Sequence, residues 1–190
     1  MAQIVNQGLE EDVEKNETSN SIWNPPPQHW LKCNVGCAWS KHIGIAGASW
    51  ILRDEKGHVI LHSRRTFSRI GSKRDANFKS AIWAIEAMSS HHFDKVVFAL
   101  EAVEIVGAVN RPKAWPSFAF QSAELLLRLQ GFLEWNLVLE SHIANRGASL
   151  IAQSASSYNF VHSYVESGPP SWLLHFFENE RSLASVYGVC

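Results

Sequence analysis

The stretch 30–67 constrains this chain most, because its apolar pattern runs at a period of two and just past residue 70 the period becomes about 3.6. Val59, Leu61 and Ser63 alternate with Ile60, His62 and Arg64, as in a half-buried strand. Asp54-Glu55-Lys56-Gly57 separates two such runs, and Gly57 can supply the positive φ of a tight hairpin. The segment predicts one strand at 31–38 and a hairpin of strands at 46–54 and 58–67. Gly44, Ala46, Gly47 and Ala48 leave the first hairpin strand nearly bare, which suits close approach by a neighbouring backbone or by a ligand. Over 72–92 the spacing changes: Phe78, Ala81, Ile82, Ile85 and Met88 recur every three or four residues, one helical stripe with Ser72 as its N-cap.

The remaining elements follow from the same signals. The run KVVFAL at 95–100 is continuously apolar, as in a strand buried on both faces. A helix at 102–110 is stopped by Arg111-Pro112, and a second is expected at 118–132. A strand at 135–143 and a last helix at 145–158 complete the order βββ-α-β-α-α-β-α. Helices between the third and fourth strands and between the fourth and fifth favour parallel pairing through right-handed crossovers. The expected class is α/β, a mixed sheet with helices on both faces. The polar, acidic residues 1–27 close on Pro25-Pro26-Pro27 and read as a disordered tail and a stiff connector, with the folded domain at 28–160 and a C-terminal extension at 161–190.

Composition narrows the function classes. A net charge of -1 gives no global field toward nucleic acid. The one local concentration of positive charge is Arg64, Arg65, Arg69, Lys73 and Arg74, a candidate phosphate-contacting patch or a solvated loop. Three cysteines without a framework, no leader of basic then apolar residues and no run of about 18 apolar residues predict an intracellular protein, cytoplasmic or nuclear, with no membrane span. A monomer is expected, and no protein partner is identified.

The ordered pieces WNPPPQHWLKCNV, GIAGASWILRDEKGHVILHSRR, AIWAIEA, VVFALEAVEIVGAVN, ANRGASLIAQSA and GPPSWLL resemble the ribonuclease H-like domain of plant proteins and of plant retrotransposon reverse transcriptases, over roughly 23–178. The resemblance implies a ribonuclease H-like fold: a five-stranded mixed sheet, three strands antiparallel and two added parallel. It also implies a hybrid-cleaving endonuclease in which carboxylates hold paired magnesium ions that clamp the attacking and leaving oxygens.

The resemblance places the ligand positions residue by residue. The family's Asn-Val-Asp-Gly is Asn34-Val35-Gly36-Cys37; its Ala-Glu is Ala76-Asn77; its Glu-Ser-Asp is Ala99-Leu100-Glu101; its Ala-Asn-Arg-x-Ala-Asp ends on Ser149. Of Gly36, Asn77, Glu101 and Ser149, only Glu101 is an acid, a weak metal candidate by itself. A lone carboxylate leaves most of the charge of two divalent cations uncompensated. Glu140 is a second acid that could point inward from the fifth strand. The expectation is a degenerate, inactive domain that needs no cofactor, with Mg2+ required if it were active. Its expected ligand is RNA or an RNA–DNA hybrid, read by shape and the 2′-hydroxyl. The alternatives are an active hybrid ribonuclease and a retrotransposon-derived domain kept for protein contacts.

Other chemistries fare less well. His91-His92 near Asp94 suit a helix end. Cys33, Cys37 and His42 lack zinc-site spacing and are expected to pack in the core. Glu140, Ser141 and His142 are neighbours on one strand, so their alternating directions do not make a triad. Trp50, Trp83 and Trp135 are expected in the core.

Overall fold

In the computed structural model, which describes residues 22–157 and 163–186, the sheet grows outward on both sides from β1 (Leu31–Ser40). On one side β1 pairs antiparallel with β2 (Ile45–Arg53), which pairs antiparallel with β3 (Val59–Phe67). On the other, β1 pairs parallel with β4 (Lys95–Leu100), and β4 with β5 (Glu134–Leu139). The bend between β2 and β3 is the one expected: Gly57 takes φ +80° and its N–H donates to the carbonyl of Asp54. The parallel strands require crossovers, and helices supply them. They are α1 (Lys73–Ser90) between β3 and β4, and α2 (Val103–Asn110) with α3 (Ala119–Leu129) between β4 and β5. The hydroxyl of Ser72 accepts from the N–H of Asp75, the N-cap that fixes where α1 begins.

The sheet has six strands rather than five, in the order β5-β4-β1-β2-β3-β6. The added strand, β6 (Tyr164–Ser167), lies antiparallel on β3 with Leu61 opposite Ser167. Its four residues, YVES, are too short and too polar to show alternation, so nothing in their spacing announced a strand. What selects them is the edge they cover. His62 Nδ1 lies 2.7 Å from the carbonyl of Gly168, and the Ser63 hydroxyl donates to the carbonyl of Tyr164. This strand falls within the stretch assigned from sequence to a C-terminal extension.

Each face of the sheet has its own layer. Toward α1, α2 and α3 point Cys33, Val35, Trp50, Leu52, Phe98 and Leu137, packed on Ala84, Ile85, Met88 and Leu129. Toward the other face points Ile51, packed on Ala148 and Ile151 of α4 (Arg146–Ser157) and on Leu173 and Phe177 at the start of α5 (Leu174–Val186). The alternation of Trp50, Ile51 and Leu52 between two buried layers explains why β2 is apolar on both faces. Trp23, from the connector, is 1% exposed and belongs to the core. The acidic residues 10–17 and Cys190 lie outside the described residues. No helix among the described residues is long and apolar enough to cross a membrane.

Candidate functional site

The bare stretch of β1 and β2 exists for a helix. A Cβ built on Gly36 would sit 2.3 Å from the carbonyl oxygen of Ala148 and 2.5 Å from the hydroxyl oxygen of Ser49. One built on Gly47 would sit 2.0 Å from the carbonyl oxygen of Ala152. The α4 backbone therefore lies flush on the strands, and the Ser49 hydroxyl donates to the carbonyl of Ala148 at 2.6 Å. Of the two roles the small residues suit, a neighbouring backbone holds the place.

This seating carries the first turn of α4 over the end of β4, where Glu101 emerges. The Ser149 hydroxyl donates to Glu101 Oε1 at 2.7 Å, and the Asn145 amide donates to the same oxygen at 3.0 Å. His142 Nδ1 lies 2.9 Å from Oε2. Asn145 Nδ2 also donates to the carbonyl of Val35 at 2.9 Å, and Asn145 Oδ1 accepts from Asn34 Nδ2 at 3.0 Å. Asn145 is 1% exposed and ties β1, β4 and α4 together. The sequence does not single out Asn145 as a site residue, although it sits in the word ANRGAS that carries the resemblance, and it offers His142 only for a triad that is set aside.

Asn77 reaches the same place from α1. A cavity of about 130 Å³ is lined by Val35, Cys37, Lys73, Asn77, Ser80 and Glu101. The four ligand positions implied by the resemblance thus adjoin one another: Glu101 and Ser149 in contact, Gly36 beneath the residue preceding Ser149, and Asn77 lining the cavity with Glu101.

Burial pushes the Glu101 carboxyl up, but the hydrogen bonds from Ser149, His142 and Asn145 outweigh it and hold the group below its ordinary range. A carboxyl depressed in the folded state stabilises the fold above its unfolded pKa, and that contribution is lost as pH falls through the folded one. Acid titration followed by circular dichroism should therefore show the wild-type protein losing stability below the ordinary carboxylate range, with Glu101→Gln flattening that loss. An unchanged acid limb in Glu101→Gln would mean that the carboxylate is not held as described.

These side chains do not fit a pair of divalent cations. Such ions need several oxygen ligands that are free to coordinate. Here Gly36 has no side chain and its Cβ space is filled, Asn77 is an amide, Ser149 directs its proton at Glu101, and both oxygens of Glu101 already have donors. Among the described residues no three His, Cys, Asp or Glu side chains come together as a metal site. Glu140 does not line this cavity: it packs against Lys32, whose Nζ lies 2.5 Å away.

The basic stretch is divided by the strand that carries it. Arg64 donates to the Ser154 hydroxyl at 2.8 Å on the α4 side, whereas the Arg65 guanidinium lies over the rings of Phe67 and Trp83 on the α1 side. Arg69 is exposed with φ +60°, in the link to α1. Arg74 lies 4.6 Å over the ring of Phe118, and Lys73 borders the cavity. His42 is not in the core but exposed in the turn after β1, whereas Cys33 is fully buried and its thiol is pushed up by burial.

A second polar cluster, unseen in the sequence, lies on the α4 face of β1 and β2. The Arg53 guanidinium is sandwiched 4.1 Å from the Trp23 ring and 5.1 Å from that of Phe177, and donates to Glu180 at 2.7 Å. Trp23 Nε1 donates to Asn34 Oδ1 at 2.9 Å. Arg53 also donates to Asn34 Oδ1 at 3.4 Å, and Asn34 in turn reaches Asn145, so hydrogen bonds connect α5 to Glu101.

Comparison with known proteins agrees with this architecture. The ribonuclease H1 of Halobacterium salinarum NRC-1 superposes with a TM-score of 0.59 at 20% identity, covering 66% of this chain and 96% of that one. The N-terminal ribonuclease H domain of a Mycobacterium tuberculosis protein gives 0.58 at 12% identity, over 68% and 94%. LC11 ribonuclease H1, solved in complex with an RNA/DNA hybrid, gives 0.57 at 15% identity, over 67% and 96%. At these identities the likeness is one of fold. No curated protein matches the sequence. Residues 34–155, which run from the buried Asn34 of β1 to near the end of α4, match the reverse transcriptase-like family, and the chain is a member of that ribonuclease H-like family.

Proposed function

We propose that this domain binds nucleic acid, an RNA–DNA hybrid or RNA, and does not cleave it. One observation carries the reading: the positions that would hold metal are used for packing, with Glu101 capped by three donors and the Gly36 site filled by the α4 backbone. Binding is supported by the fold, which LC11 ribonuclease H1 shares in its hybrid-bound form, and by Lys73, Arg74 and Arg69 around the start of α1. The free thiols of Cys33 and Cys37 support an intracellular protein, in the cytoplasm or nucleus. We read it as a monomer derived from the retrotransposon-associated branch of plant ribonuclease H-like domains.

The test is a labelled hybrid incubated with the full chain in magnesium and in manganese, beside a binding titration in low salt. The expected result is retention of the hybrid with no cleavage above a protein-free control. Robust cleavage by the unaltered protein, abolished by Glu101→Gln, would overturn the inactive reading. Absence of hybrid and RNA binding at low salt would leave protein contacts as the domain's role.

A further inference from the structure

We propose that the cavity between α1 and the end of β4 takes a bridging phosphate of a nucleic-acid backbone directly, through Lys73 and Asn77, without a divalent cation. The inference rests on the nucleic-acid reading above and gives it a ligand chemistry opposite to that of a carboxylate site.

The cavity walls now present donors. Lys73 and Asn77 are four residues apart on α1 and so share one face of the helix. Neither the Lys73 ammonium nor the Asn77 amide has a hydrogen-bond or ion-pair partner among the described residues. The other polar walls are committed. The Ser80 hydroxyl donates to the carbonyl of Ala76 at 2.8 Å. Burial raises the Cys37 thiol, which keeps it neutral. The one carboxylate, Glu101, is turned toward Ser149, Asn145 and His142.

A divalent cation needs oxygen lone pairs, and these are taken. An oxyanion needs a positive charge and N–H donors, and the unpartnered groups are an ammonium and an amide. At about 130 Å³ the cavity is well below the size of a drug-sized pocket, roughly 300 Å³ and up, so it admits a phosphate group and not a nucleoside. Lys73 is exposed on the first turn of α1, where a duplex backbone can reach it.

The experiment is a fluorescence-anisotropy titration of a labelled RNA–DNA hybrid with the full chain, in EDTA and in Mg2+, across a salt series. Affinity in EDTA should be at least that in Mg2+, which can only compete for the phosphates. Lys73→Gln should weaken binding roughly three- to tenfold and reduce the slope of log K against log salt by about 0.9, one phosphate contact; Lys73→Arg should keep the slope. Binding that requires Mg2+, or a wild-type slope in Lys73→Gln, overturns the inference while leaving the nucleic-acid reading intact. Absence of hybrid and RNA binding overturns that reading and, with it, the backbone phosphate as occupant. NMR then separates the sources: a shift of the Asn77 side-chain amide with inorganic phosphate, lost in Lys73→Gln, would identify free phosphate as the ligand.

Discussion

Gly36→Asp is expected to destabilise the domain by roughly 3 kcal/mol or more, the cost of overpacking joined to that of an unpaired buried charge. The added Cβ would lie 2.3 Å from the Ala148 carbonyl oxygen, a backbone atom that moves only if α4 lifts from the sheet. The carboxylate beyond it would face that same carbonyl, acceptor against acceptor. Gly36→Ala isolates the steric part and should cost about 1–3 kcal/mol in urea denaturation. The loss is not conformational, because Gly36 is not among the glycines at positive φ. The consequence reaches catalysis. The quadruple variant Gly36→Asp, Asn77→Glu, Glu101→Asp, Ser149→Asp restores the family's carboxylates on paper, yet it must first displace α4, so it should fail to recover hybrid cleavage. If Gly36→Asp is tolerated within about 0.5 kcal/mol, α4 is not seated as described.

Arg53→Ala should cost about 3–5 kcal/mol, the penalty for removing one partner of a buried ion pair. Arg53 and Glu180 are 1% and 12% exposed at their side chains, so the carboxylate left behind could not turn to water without moving α5. The substitution also removes the filling between the rings of Trp23 and Phe177. Arg53→Met with Glu180→Leu should recover most of the loss, since a buried pair replaced by apolar groups of similar volume is often near neutral. Thermal melts of Arg53→Met, of Glu180→Leu and of the double variant measure the coupling. Additive losses would show that the pair is not a unit.

Much of the fold was legible because its signals are local. The strand at 95–100 could be read from its continuous apolar run, and α1 from its stripe and the Ser72 cap. The hairpin followed from Gly57. What stayed hidden depends on residues far apart in the chain. β6 is a strand only because β3 offers it an edge, with Ser63 and Tyr164 separated by 101 positions. Lys32, Asn34 and Arg53 occupy alternate strand positions where polar residues usually mean a solvated face, but α4 and α5 cover that face. The site divided in the same way. The missing carboxylates could be counted from the motif words, whereas the hydrogen bonds that Asn145 and His142 make to Glu101 required the fold. The basic stretch looked continuous because charge alone groups it; the alternation already expected of 58–67 sends Arg64 and Arg65 to opposite sides.

The Arg53–Glu180 contact spans 127 positions, and this sets an order of assembly during synthesis. A ribosome releases β1 and β2 long before α5, so for most of translation the guanidinium has no counter-ion and the ring of Phe177 is not yet available to cover it. The part of this face covered by Leu173 and Phe177 can close only when nearly the whole chain has emerged. A chain cut short before residue 180 would therefore keep α4 on its strands but leave the Arg53 guanidinium without its carboxylate partner.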